Sequence, residues 1–266
     1  MDKQVDATPD IPLPPLLGQK AVILGIANEH SIAYGCARAF HRLGAELAIT
    51  YLNDKARPHV EPLAKLLDAK IFLPLDVQQT GMLESVFEQI GKTWGCLNIA
   101  LHSIAYAPKE DLQGDLLNCS ASGFGVAMDV SCHSFVRMAR LAAPLMTAGG
   151  TLLAMSYHGA NKVVPHYNVM GPVKAALEAS VRYLASELGP QGIRVHAISP
   201  GPIKTRAAGG LKDFDLLLNE AAHQSPVGEL VDIDDVGMAA AYLATPYARR
   251  ITGSTLYVDA GLNIMA

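Results

Sequence analysis

Seven short apolar runs recur along the chain, separated by longer stretches in which apolar positions return every three or four residues. The runs are KAVILG (20–25), AELAITY (45–51), KIFLPL (70–75), LNIALHS (97–103), GTLLAMSY (150–157), IRVHAIS (193–199) and STLYVD (254–259). Their brevity and their branched and aromatic residues predict strands. Between them, SIAYGCARAFHRLG (31–44), MLESVFEQIGKTWG (82–95) and VKAALEASVRYLASELG (173–189) carry a helical period closed by glycine. Strands apolar on both faces, alternating with helices, predict a parallel sheet covered on each side. No repeat, low-complexity tract or Gly/Ser linker breaks the alternation. The expected fold class is α/β, a single doubly wound domain with a seven-stranded parallel sheet. Ligands in such folds sit beyond the carboxyl ends of the strands.

The 266 residues suffice for one large domain with a well-buried core. A hydrophobic share of 50% against 17% charged residues excludes a disordered chain or a coiled coil. A net charge of −4 gives no electrostatic reason to expect nucleic acid or an anionic membrane as partner. The opening MDKQVDATPDIPLPP lacks the basic start and apolar run of a signal peptide and reads as a flexible arm over 1–15, leaving 16–266 for the domain. The longest uncharged run, from Leu141 to Asn161, is broken by Pro144, Gly149, Gly150 and Gly159. It predicts a helix end, a turn and a buried strand, and not a membrane span. Cys36, Cys96, Cys119 and Cys132 form no C-x-x-C pair and have no histidines at metal spacing, so reduced thiols in a cytoplasmic protein without a metal site are expected.

The first strand runs into GIANEHSIAYG (25–35). Gly25 suits a tight turn, Ser31 a helix N-cap and Ala33 close packing on the sheet, as a dinucleotide-binding turn requires. The strict G-x-G-x-x-G pattern is absent, so an ordinary strand-loop-helix stands beside that reading. Later strand ends agree with the dinucleotide. Asp76 and Val77 offer an acid and an apolar surface for an adenine ring, although Asp76 also reads as a simple turn residue. Ser103, Ile104 and Ala105 leave room for a ribose, and SPGPIKT (199–205) stiffens the backbone beside a nicotinamide. Tyr167 and Lys174 stand seven residues apart, close to two helical turns, and share a face if both are helical. A neighbouring ammonium would favour the phenolate and strengthen the phenol as a donor to a developing oxyanion. A buried tyrosine and an unrelated surface lysine is the plain alternative.

The stretch SYHGANKVVPHYNVMGPVKAALEASVRYLASELGPQGIRVHAISPGPIKT, with GIANEHSIAYG, AELAITYLNDK, LDV, HSIAYAP and AAGGLKDFDLLL, resembles the enoyl-acyl-carrier-protein reductases, a branch of the short-chain dehydrogenase/reductase superfamily with a Rossmann fold. The resemblance runs from about Leu17 to about Ile264. It implies that Gly25, Ser31 and Ile32 line a pyrophosphate, Asp76 and Val77 hold adenine, and Ser103, Ile104 and Ala105 flank the nicotinamide half. It also implies that Lys174 binds the nicotinamide ribose and that Ile203, Lys204, Thr205, Arg206 and Ala207 cover the nicotinamide and diphosphate. Ala107 would touch the acyl substrate, and Tyr157 and Tyr167 would be the two active-site tyrosines. The implied reaction is reduction of the trans-2 double bond of an enoyl thioester carried on acyl carrier protein, in fatty-acid synthesis, by a homotetramer. Leu52, Pro172, His158 and His166 depart from or add to the pattern. Leu52 removes a contact to the adenosine ribose, Pro172 threatens to bend the helix start, and the two histidines read as bystanders. No cation directly follows the second strand, which favours NADH, while Lys55 and Arg57 keep NADPH possible. The segment 206–227, rich in leucine after Gly209 and Gly210, predicts a small helical lid over the substrate, with a permanently packed helix as the alternative. Two rival functions stand beside this one: a superfamily reductase acting on another unsaturated carbonyl or ketone, and a catalytically silent nucleotide-binding regulator.

Overall fold

Side chains that alternate along each buried strand must find apolar cover above and below the sheet, and two separate clusters supply it. The computed structural model describes residues 13–205 and 214–265. Its strands are β1 (Lys20–Leu24), β2 (Glu46–Tyr51), β3 (Ile71–Pro74), β4 (Ile99–His102), β5 (Gly150–Met155), β6 (Ile193–Pro200) and β7 (Thr255–Val258). They form one parallel sheet in the order β3-β2-β1-β4-β5-β6-β7. The helices used below are α1 (Ile32–Arg42), α2 (Arg57–Leu66), α3 (Met82–Trp94), α4 (Lys109–Gln113), α5 (Ala121–Met128), α6 (Ser134–Ala142), α7 (Met170–Leu188), α8 (Phe214–Gln224) and α9 (Ile233–Ala244). On one face Val22, Ala100, Leu152 and Val195 meet α3, α5, α6 and α7; on the other Ile23, Leu101, Leu153 and Ile198 meet α1, α2 and α9. No described helix is long and apolar enough to cross a membrane.

The strand order reverses between β1 and β4, which opens a crevice beyond their carboxyl ends. The backbones nearly touch there: Gly25 has φ +106°, and a Cβ on it would lie 2.1 Å from the carbonyl oxygen of Ser103. Only glycine fits that position, so the turn that ends β1 is fixed by sterics as well as by its left-handed angle. Of the arm expected over 1–15, residues 1–12 lie outside the described residues, as do 206–213 of the expected lid. Leu16 is buried, and its N–H is bonded to the carbonyl of Leu43 at 2.9 Å.

Small residues also set the spacing of α1 against α9. A Cβ on Gly35 would lie 2.0 Å from the carbonyl oxygen of Ile233, and one on Gly237 would lie 2.4 Å from that of Gly35. This contact holds the start of α1, and hence the turn beyond β1, in place. Gly35→Ala is therefore expected to destabilise the protein by ~1–3 kcal/mol, as overpacking does. Urea unfolding measures it: the midpoint should fall with an unchanged slope, and an unmoved midpoint would show that the helix pair yields freely.

Candidate active site

The predicted site residues gather at the carboxyl edge of the sheet. Gly25 and Ser31 bound the turn after β1, and Ile32 opens α1 with its side chain half-buried. Ser31 stands at the N-cap position but does not cap the helix. Its hydroxyl instead accepts from the N–H groups of Ala27 (3.0 Å) and Asn28 (3.1 Å), pinning the loop. The expected N-cap position thus holds without a side-chain cap, and the first N–H groups of α1 are not covered by that side chain. With the Gly25 cradle beside them, they suit a pyrophosphate at a helix N-terminus.

Asp76 realises the turn reading, because its Oδ1 accepts from the N–H of Gln78 at 3.0 Å. Val77 is buried, and its carbonyl accepts from Arg137 at 2.9 Å. Ser103 continues the β4 ladder, its N–H donating to the Leu24 carbonyl at 3.0 Å; Ile104 is half-buried and Ala105 exposed. Leu52 is exposed beyond β2. Arg57 pairs with Glu61 at 3.2 Å and lies 6.0 Å from the Tyr51 ring centroid, so its charge is engaged locally. This arrangement favours a cofactor without a 2′-phosphate. Ile203 and Thr205 are half-buried and Lys204 is exposed, while Arg206 and Ala207 lie outside the described residues. A cavity of about 270 Å³ separates Pro202, Ile203 and Lys204 from Leu218 of α8.

Tyr157 and Tyr167 meet ring to ring, with centroids 4.9 Å apart and planes at 60°, an edge-to-face pair. Gly159 makes room for it, since a Cβ there would sit 2.5 Å from Cδ1 of Tyr167. Tyr167 is not helical. It lies in the turn before α7, between His166 (φ 63°) and Asn168 (φ 41°), both left-handed. The expectation that Tyr167 and Lys174 share a helix face is therefore corrected: a strained turn and α7 bring them to the same edge. Pro172 lies in the first turn of α7, where N–H groups have no intrahelical acceptor, so it costs no ladder bond. His158 is in tilted ring contact with its neighbour Tyr157, centroids 5.8 Å apart.

Lys174 is 4% exposed, and its Nζ donates to the carbonyl of Met155 at 2.6 Å. Burial pushes its ammonium down to about 8, with Cys132 and Glu178 pulling the other way. Burial likewise pushes the Tyr157 phenol up to about 12, and Tyr167 higher still, where Tyr157 and Glu178 add to the effect. The expected drift of Tyr167 toward the phenolate is thus reversed: low local dielectric keeps both phenols protonated and able to donate.

Sequence reasoning missed the parts that brace this edge. Ser131 lies in a π-helical segment, Asp129–His133, between α5 and α6. Its hydroxyl accepts from the N–H of Tyr106 (2.9 Å) and donates to the same residue's carbonyl (3.0 Å), fixing the loop that carries Ala105 and the buried Ala107. Asn168 donates to the carbonyl of Leu112 at 2.9 Å, joining the Tyr167 turn to α4. Both contacts link residues far apart in the chain, and no local pattern announces them. Glu178 is different. With Lys174 it falls on the buried stripe of Val173, Leu177 and Val181, and a charged residue on an apolar face is itself a signal.

Comparison with known proteins gives one answer throughout. A family model described as Enoyl-(Acyl carrier protein) reductase matches residues 25–263. The NADH-type enoyl-acyl-carrier-protein reductase of Escherichia coli (strain K12) is 44% identical over 252 residues, covering 94% of this chain and 96% of its own. That of Aquifex aeolicus (strain VF5) is 45% identical over 251 residues, covering 94% and 93%. The enoyl-acyl-carrier-protein reductase of Anaplasma phagocytophilum, solved in complex with NAD, is similar with a TM-score of 0.91 at 45% identity, covering 94% of this chain and 96% of that one. The Bacillus cereus enzyme, solved with NADP+ and indole naphthyridinone, is similar with a TM-score of 0.92 at 41% identity, covering 94% and 98%.

A pH dependence follows from Lys174. The family resemblance implies that its ammonium donates to the ribose of a bound dinucleotide, and that form predominates below about 8. NADH affinity is therefore expected to fall as pH rises through that value, approaching tenfold per pH unit at about the steepest. Fluorescence titration between about pH 7 and pH 9 measures it. A flat profile would remove the Lys174 ammonium from cofactor binding.

Proposed function

The chain belongs to the enoyl-acyl-carrier-protein reductase family, and on that premise we propose that the tyrosine pair at the carboxyl edge of the sheet is where it reduces an enoyl thioester with NADH. The substrate is a trans-2-enoyl group carried on acyl carrier protein, and the product is the saturated acyl thioester of fatty-acid synthesis. The observation that carries this reading is the edge-to-face contact of Tyr157 and Tyr167, 4.9 Å between centroids. NADH, when bound, supplies a hydride for the β-carbon of the substrate. Negative charge then gathers on the thioester oxygen, and the protonated phenol of Tyr167 donates a hydrogen bond to it. The α-carbon takes up a proton, so the double bond has gained one hydride and one proton. Tyr157, packed edge-on against Tyr167, limits the room for the acyl chain and keeps the second ring from turning. Lys174, already bonded to the Met155 carbonyl, directs its remaining donors at the nicotinamide ribose. Gly25 and the N-terminus of α1 take the pyrophosphate, and Asp76 with Val77 the adenine.

We extend the reading to a homotetramer in the cytoplasm on the strength of the family alone. The lid proposal rests on α8, whose Leu216 is 63% exposed, whose Leu218 faces the cavity beside Ile203, and whose Ala221 is buried. Ser225 ties the far end, donating to the carbonyl of Ala260 at 2.8 Å. A helix tied at its far end and carrying an exposed leucine suits a cover that closes on an apolar chain, where each buried methylene gains up to ~0.8 kcal/mol.

Two measurements test this function. Tyr167→Phe should lower turnover by about a hundred- to a thousandfold, the usual loss of one oxyanion donor, with NADH affinity retained; near-normal turnover in the folded variant would exclude the assigned role. Amide exchange over α8 should be fast in the free protein and slow with NADH and an acyl ligand bound. Equal, strong protection in both states would make α8 a fixed helix.

A further inference from the structure

One turn of α7 carries two buried charged side chains, Lys174 at 4% and Glu178 at 5% exposure. They act on consecutive residues at the end of β5. Lys174 takes the carbonyl of Met155, and Glu178 Oε1 accepts from the hydroxyl of Ser156 at 2.5 Å. The N–H of Ser156 is committed to β6, donating to the Ile198 carbonyl at 2.7 Å, so the hydroxyl is a fixed point. The other carboxylate oxygen, Oε2, accepts from Nδ2 of Asn161 at 3.3 Å, and the same amide donates to the Tyr257 hydroxyl on β7 at 2.8 Å. Ser156 and Asn161 are the two ends of a short segment. Tyr157 follows the first, and the single turn His158–Ala160 precedes the second. Gly159 in that turn faces the ring of Tyr167. One buried carboxylate therefore grips both ends of the segment that brings the two rings together. No contact of Glu178 with a reacting atom is needed for this.

We propose that Glu178 is the positioning residue of the tyrosine pair: through Ser156 and Asn161 it holds Tyr157 and the Gly159 turn against Tyr167. The assignment rests on the reductase reading above for its catalytic consequence, and on the contacts alone for its structural one. A hydroxyl bonded to a buried carboxylate is held more firmly than one bonded to a neutral group. An amide in place of the carboxylate removes the charge from both bonds and holds Ser156 only by a neutral hydrogen bond, so the grip on the segment loosens. Glu178 also acts on both functional partners in the sense that suits them, favouring the charged form of Lys174 and the neutral form of Tyr167.

The test compares Glu178→Gln, Ser156→Ala, Asn161→Ala and the Glu178→Gln/Ser156→Ala double variant with the parent protein. Asn161 is exposed, so its variant folds even if a buried change does not. Expected for Glu178→Gln is a fall in kcat of about tenfold or more, the scale on which small misplacements act, while Ser156→Ala, which keeps the carboxylate beside Lys174, leaves the NADH dissociation constant unchanged. Asn161→Ala should fall in the same direction by less, and the double variant should be no slower than Glu178→Gln alone, because both changes cut one linkage. A second readout needs no turnover: ring resonances of selectively labelled Tyr157 and Tyr167 should shift together in Glu178→Gln and Asn161→Ala. Unchanged rings, or parental kcat in Glu178→Gln, would overturn the proposal. Shifted rings in a parent that does not reduce an enoyl thioester would keep Glu178 as the brace of the pair and reject the reductase reading instead.

Discussion

A buried ammonium must find an acceptor within the protein, and the place where Lys174 finds one organises the site. Parallel strands leave carbonyl groups at their carboxyl ends that the sheet ladder no longer uses. Lys174 reaches such a group on Met155, where β5 ends. That bond joins the start of α7 to the end of β5, two residues before Tyr157. The apolar contacts of Val173, Leu177 and Val181 with the sheet then bury the stem of the lysine and the neighbouring carboxylate. The core therefore supplies the low dielectric that shifts Lys174, Tyr157 and Tyr167.

That environment runs against the unaided tendency of each group. In water the lysine would be fully charged at neutral pH and the phenols would ionise near pH 10. Burial lowers the first to about 8 and raises Tyr157 to about 12. Both shifts have one cause, the penalty on charge in an apolar surrounding, and they leave the phenols neutral beside the Lys174 ammonium. Such a site is suited to a reaction that creates an anion only in passing. A phenol that stays protonated donates to the oxygen when the charge appears, and its bond strengthens because little water competes.

The sheet was legible in the sequence because its signal is local. Each of the seven apolar runs became a strand whose ends lie within two residues of those predicted, from β1 at Lys20–Leu24 to β7 at Thr255–Val258. The residues of the site were legible as types at strand ends, and the family resemblance gave them roles. What pattern could not supply was backbone conformation. Helical spacing placed Tyr167 on α7, yet left-handed angles at His166 and Asn168 hold it in a turn ahead of the helix. Serine before a helical run implied a cap at Ser31, yet the hydroxyl serves the loop. Asp76 was readable in two ways, and its bond to Gln78 selects the turn without deciding what else its carboxylate meets.

These departures share a location and a sign. A missing side-chain cap costs about 1 kcal/mol, and a non-glycine residue in the left-handed region costs on the order of 1–3 kcal/mol. Ser31, His166 and Asn168 each leave that much local stability unused, and all three adjoin the carboxyl edge of the sheet. Departures of the same kind occur elsewhere, at the left-handed Asp68 (φ 48°) after α2 and at the uncapped start of α2, whereas other helix ends keep the rules of local structure. Asp232 and Asp235 form a complete capping box at the start of α9, and glycine closes α3 in the left-handed region. The start of α9 has its donors satisfied by its own side chains. The start of α1 leaves its first donors uncovered by the Ser31 side chain, and Tyr167 stands ahead of α7 between two left-handed residues. At this edge a ligand's contacts can offset local strain, and the two apolar clusters on either face of the sheet hold the frame that makes it tolerable.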